Sequence, residues 1–584
     1  MQTAVDAGDA AALLAAVPAG RRVALVDPRF VGHVHALRLG LTDPRFPAAT
    51  VPGALTAQPE ARGALLRALH RTAAAVGAGA PVVDPDTDPA PEDRTVPGRI
   101  AVALEAEGTA VQRPALGSLV AAVPTDPGQE AAAVAGLTSV DDEAVRLRGA
   151  VKAHDGFFTT YCISPYSRYI ARWCARRGLT PNQVTTASLI TALIAAGSAA
   201  TGTRGGYVAA GILLLVSFVL DCTDGQLARY SLQYSTMGAW LDATFDRAKE
   251  YAYYAGLAIG AVRGGDDVWV LALGAMVLQA CRHVVDFSFN EANHDAVANT
   301  SPTAALSDKL DSVGWTVWVR RMIVLPIGER WAMIAVLTAL TTPRTVFYAL
   351  LIGCSLAACY TTAGRLLRSL TRRAGRTERA AQALADLADS GPLAQAVASA
   401  APGLRGAFTA PAVALLGTLV MVGGALFLPY GSWLTVAAAA VYVLLSGLAV
   451  ARPLTGALDW LVPPFFRAAE YVTILVLAAR SDVPHAVPAA FGLVSAVAYH
   501  HYDTVYRIRG GTGAPPQWLV RTIGGPEGRT ALVAVLAAVL THTSGFTTAL
   551  TALAVAVALV VLVESIRFWV SSSAPAVHDE GELA

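Results

Sequence analysis

The sequence has little charge. Only 15% of its 584 residues are Asp, Glu, Lys or Arg, against 54% hydrophobic, and the mean hydropathy is +0.48. A chain this poor in charge cannot present the solvated surface of a soluble multidomain protein, which leaves a multi-pass membrane protein. Its charges nearly cancel, for a formal net charge of +1, so no basic excess is available to hold nucleic acid. Cysteine is sparse too: all six lie between Cys162 and Cys359 without C-x-x-C or finger spacing, so neither a zinc site nor a disulfide framework is expected. The opening M-Q-T-A-V-D-A-G-D-A-A lacks a basic stretch followed by an apolar one; no cleaved signal peptide is expected, and the N-terminus is expected in the cytosol. The first 145 residues hold neither a G-x-G-T-R loop nor a P-loop.

What is there is concentrated in residues 221–246, D-C-T-D-G-Q-L-A-R-Y-S-L-Q-Y-S-T-M-G-A-W-L-D-A-T-F-D. Asp221 and Asp224 are three apart and Asp242 and Asp246 four apart, so on helices each pair shares a face and reaches a common point. Four acids beside a membrane-grade apolar run repel one another unless cations lie between them, and divalent metal is the natural resolution. The plainer alternative, carboxylates capping two helix ends, runs against the rarity of acids inside membranes.

The pattern D-x2-D-G-x2-A-R-x8-G-x3-D-x3-D resembles the signature of the CDP-alcohol phosphotransferases, membrane enzymes that move a phosphoalcohol from CDP to an acceptor hydroxyl. All eight fixed positions are filled, by Asp221, Asp224, Gly225, Ala228, Arg229, Gly238, Asp242 and Asp246. The resemblance implies a six-helix membrane unit and two divalent cations, Mg²⁺ or Mn²⁺ for an all-oxygen ligand set. It implies that Asp221, Asp224 and Asp242 hold the metals, and that Asp246 touches one metal and takes the proton from the acceptor hydroxyl. Arg229 would fork onto phosphate. Ser235 would bond the cytidine or a phosphate, with Asn182 and Thr185 approaching the same nucleotide from the first helix. Gly225 and Ala228 alone would read as helix packing, the commoner use of small residues in membranes; the surrounding motif reverses this and implies close approach of a nucleotide to the backbone.

Along the chain, residues 1–145 read as a soluble α/β domain of short apolar runs and alanine-rich helical stretches, with P-V-V-D-P-D-T-D-P-A-P-E-D as a loop. A structural or regulatory role is expected for it. Residues 146–183 follow as an interfacial amphipathic helix, in which Arg168, Arg172, Arg176 and Arg177 recur beside Tyr169, Ile170 and Trp173. K-x-x-D-G-F-F, ending at Phe158, is similar to the junction in the inositol-phosphate branch of the family. Six apolar segments, near 184–202, 206–222, 236–262, 267–287, 331–342 and 345–364, form the expected catalytic domain, 184–370. Most approach the roughly 20 residues that a span requires. Residues 371–404 are expected as a cytosolic linker. Six further segments, near 409–428, 433–450, 456–480, 485–506, 531–542 and 546–570, form a second membrane domain, 405–572, before a polar tail, 573–584. Basic clusters at 168–177, 309–330 and 365–379 put the active site and both termini on the cytosolic side.

Arg282 and His283 end the fourth segment, and Arg320 and Arg321 lie in the next loop. Two readings stay open for them: binding an acceptor phosphate, which suits an inositol phosphate or another phosphorylated polyol, or setting topology. Lys249 either reaches the site from the helix of Asp246 or snorkels. The second half echoes the first: R-A-A-E-Y from Arg467 follows R-A-K-E-Y from Arg247, and G-R-T-A-L from Gly528 follows E-R-W-A-M from Glu329, which marks an internal duplication. Of the four acids only Asp459 has a counterpart there. The family usually works as a homodimer of six-helix units, so the second half is expected as a catalytically dead copy, giving a pseudo-dimer within one monomeric chain. The expected fold class is mainly α: a polytopic helical bundle with a six-helix unit, a diverged six-helix repeat and a small soluble N-terminal α/β domain. The expected reaction moves a substituted phosphate from a CDP-alcohol, such as CDP-diacylglycerol, to a hydroxyl with release of CMP, in phospholipid or phosphodiester biosynthesis. The competing reading is a two-repeat transporter without transferase activity.

Overall fold

The computed structural model describes residues 3–4, 6–43, 46–77, 95–152, 155–294, 324–371, 376–401 and 409–571. The expected loop at 81–93, Arg320, Arg321 and the tail 573–584 lie outside the described residues.

The N-terminal part is a small α/β domain. Its elements are α1 (Ala7–Ala16), β1 (Val23–Val26), β2 (Val31–Gly32), α2 (Val34–Leu41), β3 (Ala48–Val51), β4 (Ala54–Ala57), α3 (Arg62–Gly77), α4 (Val96–Ala106), β5 (Val111–Gln112), β6 (Ala121–Ala122), α5 (Pro127–Ser139) and α6 (Asp142–Gly149). The main sheet runs β1-β4-β3-β5; β4 is antiparallel to both neighbours and β5 parallel to β3. Pro52 and Gly53 join β3 to β4, and Gly53 at φ +82° supplies the left-handed residue that a proline-led tight turn needs. Leu55, Leu65, Leu69, Ile100 and Leu104 close the core between sheet and helices.

His35, on α2, is buried, and its Nδ1 has no hydrogen-bond partner. Burial, and then the nearby Arg146 and Arg38, lower its pKa from 6.5 to about 4. Between these values the unfolded chain binds more protons than the folded one. Stability contributed by neutral His35 is therefore complete above pH 6.5 and is lost as pH falls toward 4. Limited proteolysis of this domain between pH 7 and 4.5 is expected to speed up as pH drops, and His35→Gln to flatten that dependence.

The next part begins with α7 (Ser164–Arg176), whose Tyr166, Tyr169 and Trp173 are exposed. Then follow α8 (Pro181–Ala200), α9 (Arg204–Ser231), α10 (Thr236–Arg263), α11 (Trp269–Asn293), α12 (Ile327–Leu340) and α13 (Pro343–Thr371). Thr180, Pro181 and Gln183 start α8 with a reciprocal capping box and proline in the first turn. Small residues let the helices touch: a side chain at Gly256 or Gly260 of α10 would collide with the backbone of α8, and one at Gly211 of α9 with α12. Helix α8 packs on α9 and α10, α9 on α7 and α12, and α11 on α13.

Residues 371–404, expected as a linker, instead hold two packed helices, α14 (Glu378–Ala388) and α15 (Pro392–Ala400). Leu384, Leu387 and Ala394 are fully buried, because α14 lies against α11 and α15 against the helices Trp433–Val450 and Gly525–Val539. The remainder is α16 (Thr409–Phe427), α17 (Trp433–Val450), α18 (Val462–Arg480), α19 (Ala486–Arg509), α20 (Gln517–Ile523), α21 (Gly525–Val539) and α22 (Gly545–Ser571). Helix α16 packs on α17 and α18, α17 on α15 and α21, and α19 on α22. The two halves meet where α11 touches α18 and α19 and where α10 touches α19.

Among the described residues, eight helices are long and apolar enough to cross a membrane, and they coincide with eight of the twelve apolar segments read in the sequence. The other four are α10 and α19, which carry clusters of charge or histidine, and α12 and α21, which have 14 and 15 residues.

Candidate active site

The four carboxylates come from two neighbouring helices, Asp221 and Asp224 from α9 and Asp242 and Asp246 from α10. Carboxylate oxygens of Asp221, Asp242 and Asp246 all lie within 4.8 Å of one another. Asp224, one turn further along α9, is buried, and its Oδ2 has no hydrogen-bond partner. An orphaned buried carboxylate oxygen beside three converging carboxylates, all hard oxygen donors, is the donor set that a divalent cation of the Mg²⁺ or Mn²⁺ type requires. The residues present therefore fit the metals that the sequence implies.

Lys249 reaches this cluster. Its Nζ bonds Asp221, lies 2.8 Å from Asp246 Oδ1 and 3.2 Å from Ser188 Oγ, and sits 5.4 Å from the centroid of the Trp331 ring. Of the two roles left open, this geometry selects a place inside the site, because the ammonium is fully buried.

The nucleotide-binding candidates lie at the starts of α8 and α10 and at the end of α9. Ser235 caps α10, its Oγ accepting from Gly238 N–H at 2.9 Å. A side chain on Gly238 would lie 2.8 Å from both Ser235 Oγ and Asn182 Oδ1, so the starts of α8 and α10 touch through this glycine. Thr185 is buried, lies beside Asp224 and bonds Pro181 O at 3.1 Å. Arg229 Nε donates to Ala150 O at 2.6 Å.

Gly225 differs from the packing glycines: the three nearest heavy atoms to a methyl group there would be those of the Arg229 guanidinium, from 3.5 Å, an ordinary contact. Gly225→Ala is expected to keep or slightly raise the thermal midpoint, since alanine favours a helix by roughly 0.5–1 kcal/mol, while weakening nucleotide binding; titration with CMP and a melting curve check the two parts separately.

The acceptor candidates are scattered. Arg282 is buried; one guanidinium nitrogen bonds Val324 O, and Nε and Nη1 have no hydrogen-bond partner. The ring nitrogens of His283 instead face Gln279, at 2.8 Å, and Tyr502 of the second half. Two features escaped the sequence reading. Glu329 accepts from Phe158 N–H at 3.3 Å and so caps the entry to α7. Trp240, inside the motif, stacks at 6.0 Å on Trp569 of α22. Both join residues far apart in the chain, and only the acid of E-R-W-A-M, noted as an echo, gave any signal.

Residues 178–365 match the family model of CDP-alcohol phosphatidyltransferases, and residues 378–584 match that of a family of unknown function, DUF5941. The chain is similar to the archaetidylinositol phosphate synthase of Pyrococcus horikoshii, 31% identical over 113 residues, 19% of this chain and 58% of that protein. It is 31% identical over 131 residues to the phosphatidylinositol phosphate synthase of Streptomyces avermitilis, 22% of this chain and 51% of that protein. A bifunctional IPC transferase and DIPP synthase of Aquifex aeolicus is 32% identical over 123 residues, 20% of this chain and 27% of that protein. The chain thus spans 58% of the first of these relatives and less of the other two. With its eight apolar helices, it is an integral membrane protein.

Proposed function

We propose, from the match of residues 178–365 to the family model of CDP-alcohol phosphatidyltransferases, that the chain transfers a substituted phosphate from a CDP-alcohol to an acceptor hydroxyl and releases CMP. The observation that carries this is the convergence of Asp221, Asp242 and Asp246 within 4.8 Å beside the unpartnered Oδ2 of Asp224. Asp221, Asp224 and Asp242 would hold divalent cations, which when bound neutralise the pyrophosphate and stabilise the attacking and leaving oxygens. The chain's own residues supply the rest. Arg229 and the amide-rich starts of α8 and α10 orient the phosphates. Asp246, 2.8 Å from Lys249 Nζ, accepts the proton as the hydroxyl oxygen bonds to the phosphorus that carries the alcohol; the bond from that phosphorus to the bridging oxygen breaks, and CMP leaves with the oxygen.

An inositol phosphate is the acceptor class favoured here, because two similar proteins are named as synthases of archaetidylinositol phosphate and phosphatidylinositol phosphate. Incubating the chain in nanodiscs with CDP-diacylglycerol, Mg²⁺ and inositol phosphate should yield a lipid of the corresponding mass; CMP release only with another acceptor would change the substrate and keep the reaction. The site and both termini are read as cytosolic from the basic clusters.

Residues 378–571 are read as a second copy of the six-helix unit. Supporting this, α16 to α19, α21 and α22 follow the order and packing of α8 to α13. Glu470 binds Arg467 of its own helix, at 3.1 Å, and Arg529 of the fifth, at 2.5 Å, just as Glu250 binds Arg247, at 2.8 Å, and Arg330, at 3.1 Å. Glu527 accepts from Ala394 N–H at 3.2 Å, repeating for α15 what Glu329 does near α7, so the supposed linker fits as the interfacial helix of this copy. Under the same correspondence, the α11–α18 and α10–α19 contacts exchange and α11–α19 maps onto itself, as in a two-fold dimer. The copy has no metal site of the first kind among the described residues: Phe466 stands where Asp246 stands, and Asp459 is tied to Arg452 and to Gly456 N–H. Asp459→Asn, which keeps an acceptor for that amide, is expected to leave metal-dependent CMP release unchanged.

A further inference from the structure

Helix α9, which carries Asp221 and Asp224, ends in a way that its own domain does not complete. Leu232 takes the left-handed conformation at φ +54°, unfavourable for a residue with a Cβ, and its side chain is buried. Gln233 N–H closes on Ala228 O at 2.9 Å, the six-to-one bond of a helix-ending turn. The carbonyls of Tyr230 and Ser231 then stand at the negative end of the helix dipole.

Both are met from the N-terminal domain. Arg38 Nη2, on α2, donates to Ser231 O at 3.1 Å, and Arg146 Nη2, on α6, donates to Tyr230 O at 3.3 Å. The Arg146 guanidinium also lies 4.1 Å from the centroid of the Tyr230 ring, and the Tyr230 hydroxyl donates to Glu143 Oε1 at 3.1 Å. Leu147, Ala150 and Tyr230 pack together beneath these bonds, and Arg229 Nε is held by Ala150 O at 2.6 Å. Three consecutive motif residues, 229 to 231, are therefore fixed by α2, α6 and the residue that follows α6. Only residues 232–235 separate this end from α10, and the last of them, Ser235, caps α10 against Gly238 and Asn182. A shift at the end of α9 is passed within one turn of chain to the mouth of the site.

We propose that Arg38 and Arg146 are positioning residues: the N-terminal domain is a clamp that holds the α9–α10 connection, and with it Arg229, Ser235 and Gly238, in the arrangement that binds a cytidine nucleotide. This rests on the reading of residues 178–365 given above. The clamp acts on binding rather than on proton transfer, because its contacts end on the last turn of α9, next to the connection, and not on Asp246. It also gives the N-terminal domain a task that needs no nucleotide loop of its own.

The test uses the full chain in nanodiscs, with Arg38→Ala, Arg146→Ala, Arg38→Lys and Arg146→Lys. CMP with Mg²⁺ is the probe for calorimetric titration, and hydrogen exchange is followed over residues 228–238. Each alanine variant is expected to bind CMP about tenfold more weakly, the scale of one lost charge-assisted hydrogen bond. KM for CDP-diacylglycerol should rise while kcat changes little, exchange over 228–238 should accelerate, and exchange in α16–α18 should stay as it was. Arg38→Lys keeps a donor and should recover most of the affinity; Arg146→Lys loses the planar stacking on Tyr230 and should recover less. Unchanged exchange over 228–238 in both alanine variants would overturn the clamp. Accelerated exchange with unchanged CMP affinity would overturn its link to the nucleotide. If the unmodified chain binds no CMP with Mg²⁺, the assignment of the site itself fails, and the exchange comparison still decides whether the clamp exists.

Discussion

Asp246→Asn is expected to lower CMP release by roughly a hundredfold to ten-thousandfold, the usual weight of one general base, while metal and CMP still bind. The substitution keeps the size of the side chain and the neighbouring carboxylates of Asp221, Asp224 and Asp242. What disappears is the charged oxygen that lies 2.8 Å from Lys249 Nζ and is placed to take the acceptor's proton. Asp221→Asn should fail differently. It removes a donor shared between the three-carboxylate cluster and Lys249, so metal affinity should fall before the rate at saturating metal does. Initial rates of CMP release across a Mg²⁺ series separate the two patterns. A near-normal rate for Asp246→Asn at any Mg²⁺ concentration would remove the base from the mechanism.

Glu470→Ala should cost about 3–5 kcal/mol of stability, the range found when one partner of a buried ion pair is deleted. Glu470 is fully buried and neutralises two guanidinium groups: Arg529, through bonds of 2.5 and 3.2 Å, and Arg467, at 3.1 Å. Asp389 stays as a partner of Arg467, at 2.8 Å, but not as a replacement for both bonds to Arg529, from which it lies 3.9 Å away. Glu250→Ala should fall in the same range, because Glu250 takes Arg247, Arg330 and the Tyr254 hydroxyl in the same way. Thermal unfolding in a single detergent gives both midpoints. A large loss for one glutamate and none for the other would break the correspondence between the halves. Replacing Arg467, Glu470 and Arg529 together by apolar residues of similar volume should be far milder than Glu470→Ala, because no charge is then left unpaired.

The site was legible where chemistry depends on local spacing. Asp221 and Asp224 three apart, and Asp242 and Asp246 four apart, can be read as shared faces without knowing how α9 and α10 pack, and the eight membrane-grade helices follow from apolar runs alone. What was not legible depends on contacts across the chain. Arg38 lies 193 residues from Ser231, and neither residue type announces the bond. The stretch 371–404 was misread for another reason: its Ala380, Ala381, Leu384, Leu387 and Ala388 follow a helical period, but alanine contributes so little hydrophobicity that the buried face resembles a polar linker. At Gly225 the nearest atoms are those of the Arg229 guanidinium rather than a neighbouring backbone, a contact across one turn that composition does not show.

The most direct test of the central claim is CMP release by the purified chain from CDP-diacylglycerol, with an inositol phosphate acceptor, in the presence of Mg²⁺ and again after chelation. The account predicts steady release with Mg²⁺, none after chelation, and full recovery when Mg²⁺ or Mn²⁺ is restored. Release that continues undiminished in the chelated protein, or no release with any CDP-alcohol while a solute crosses the bilayer, would contradict it.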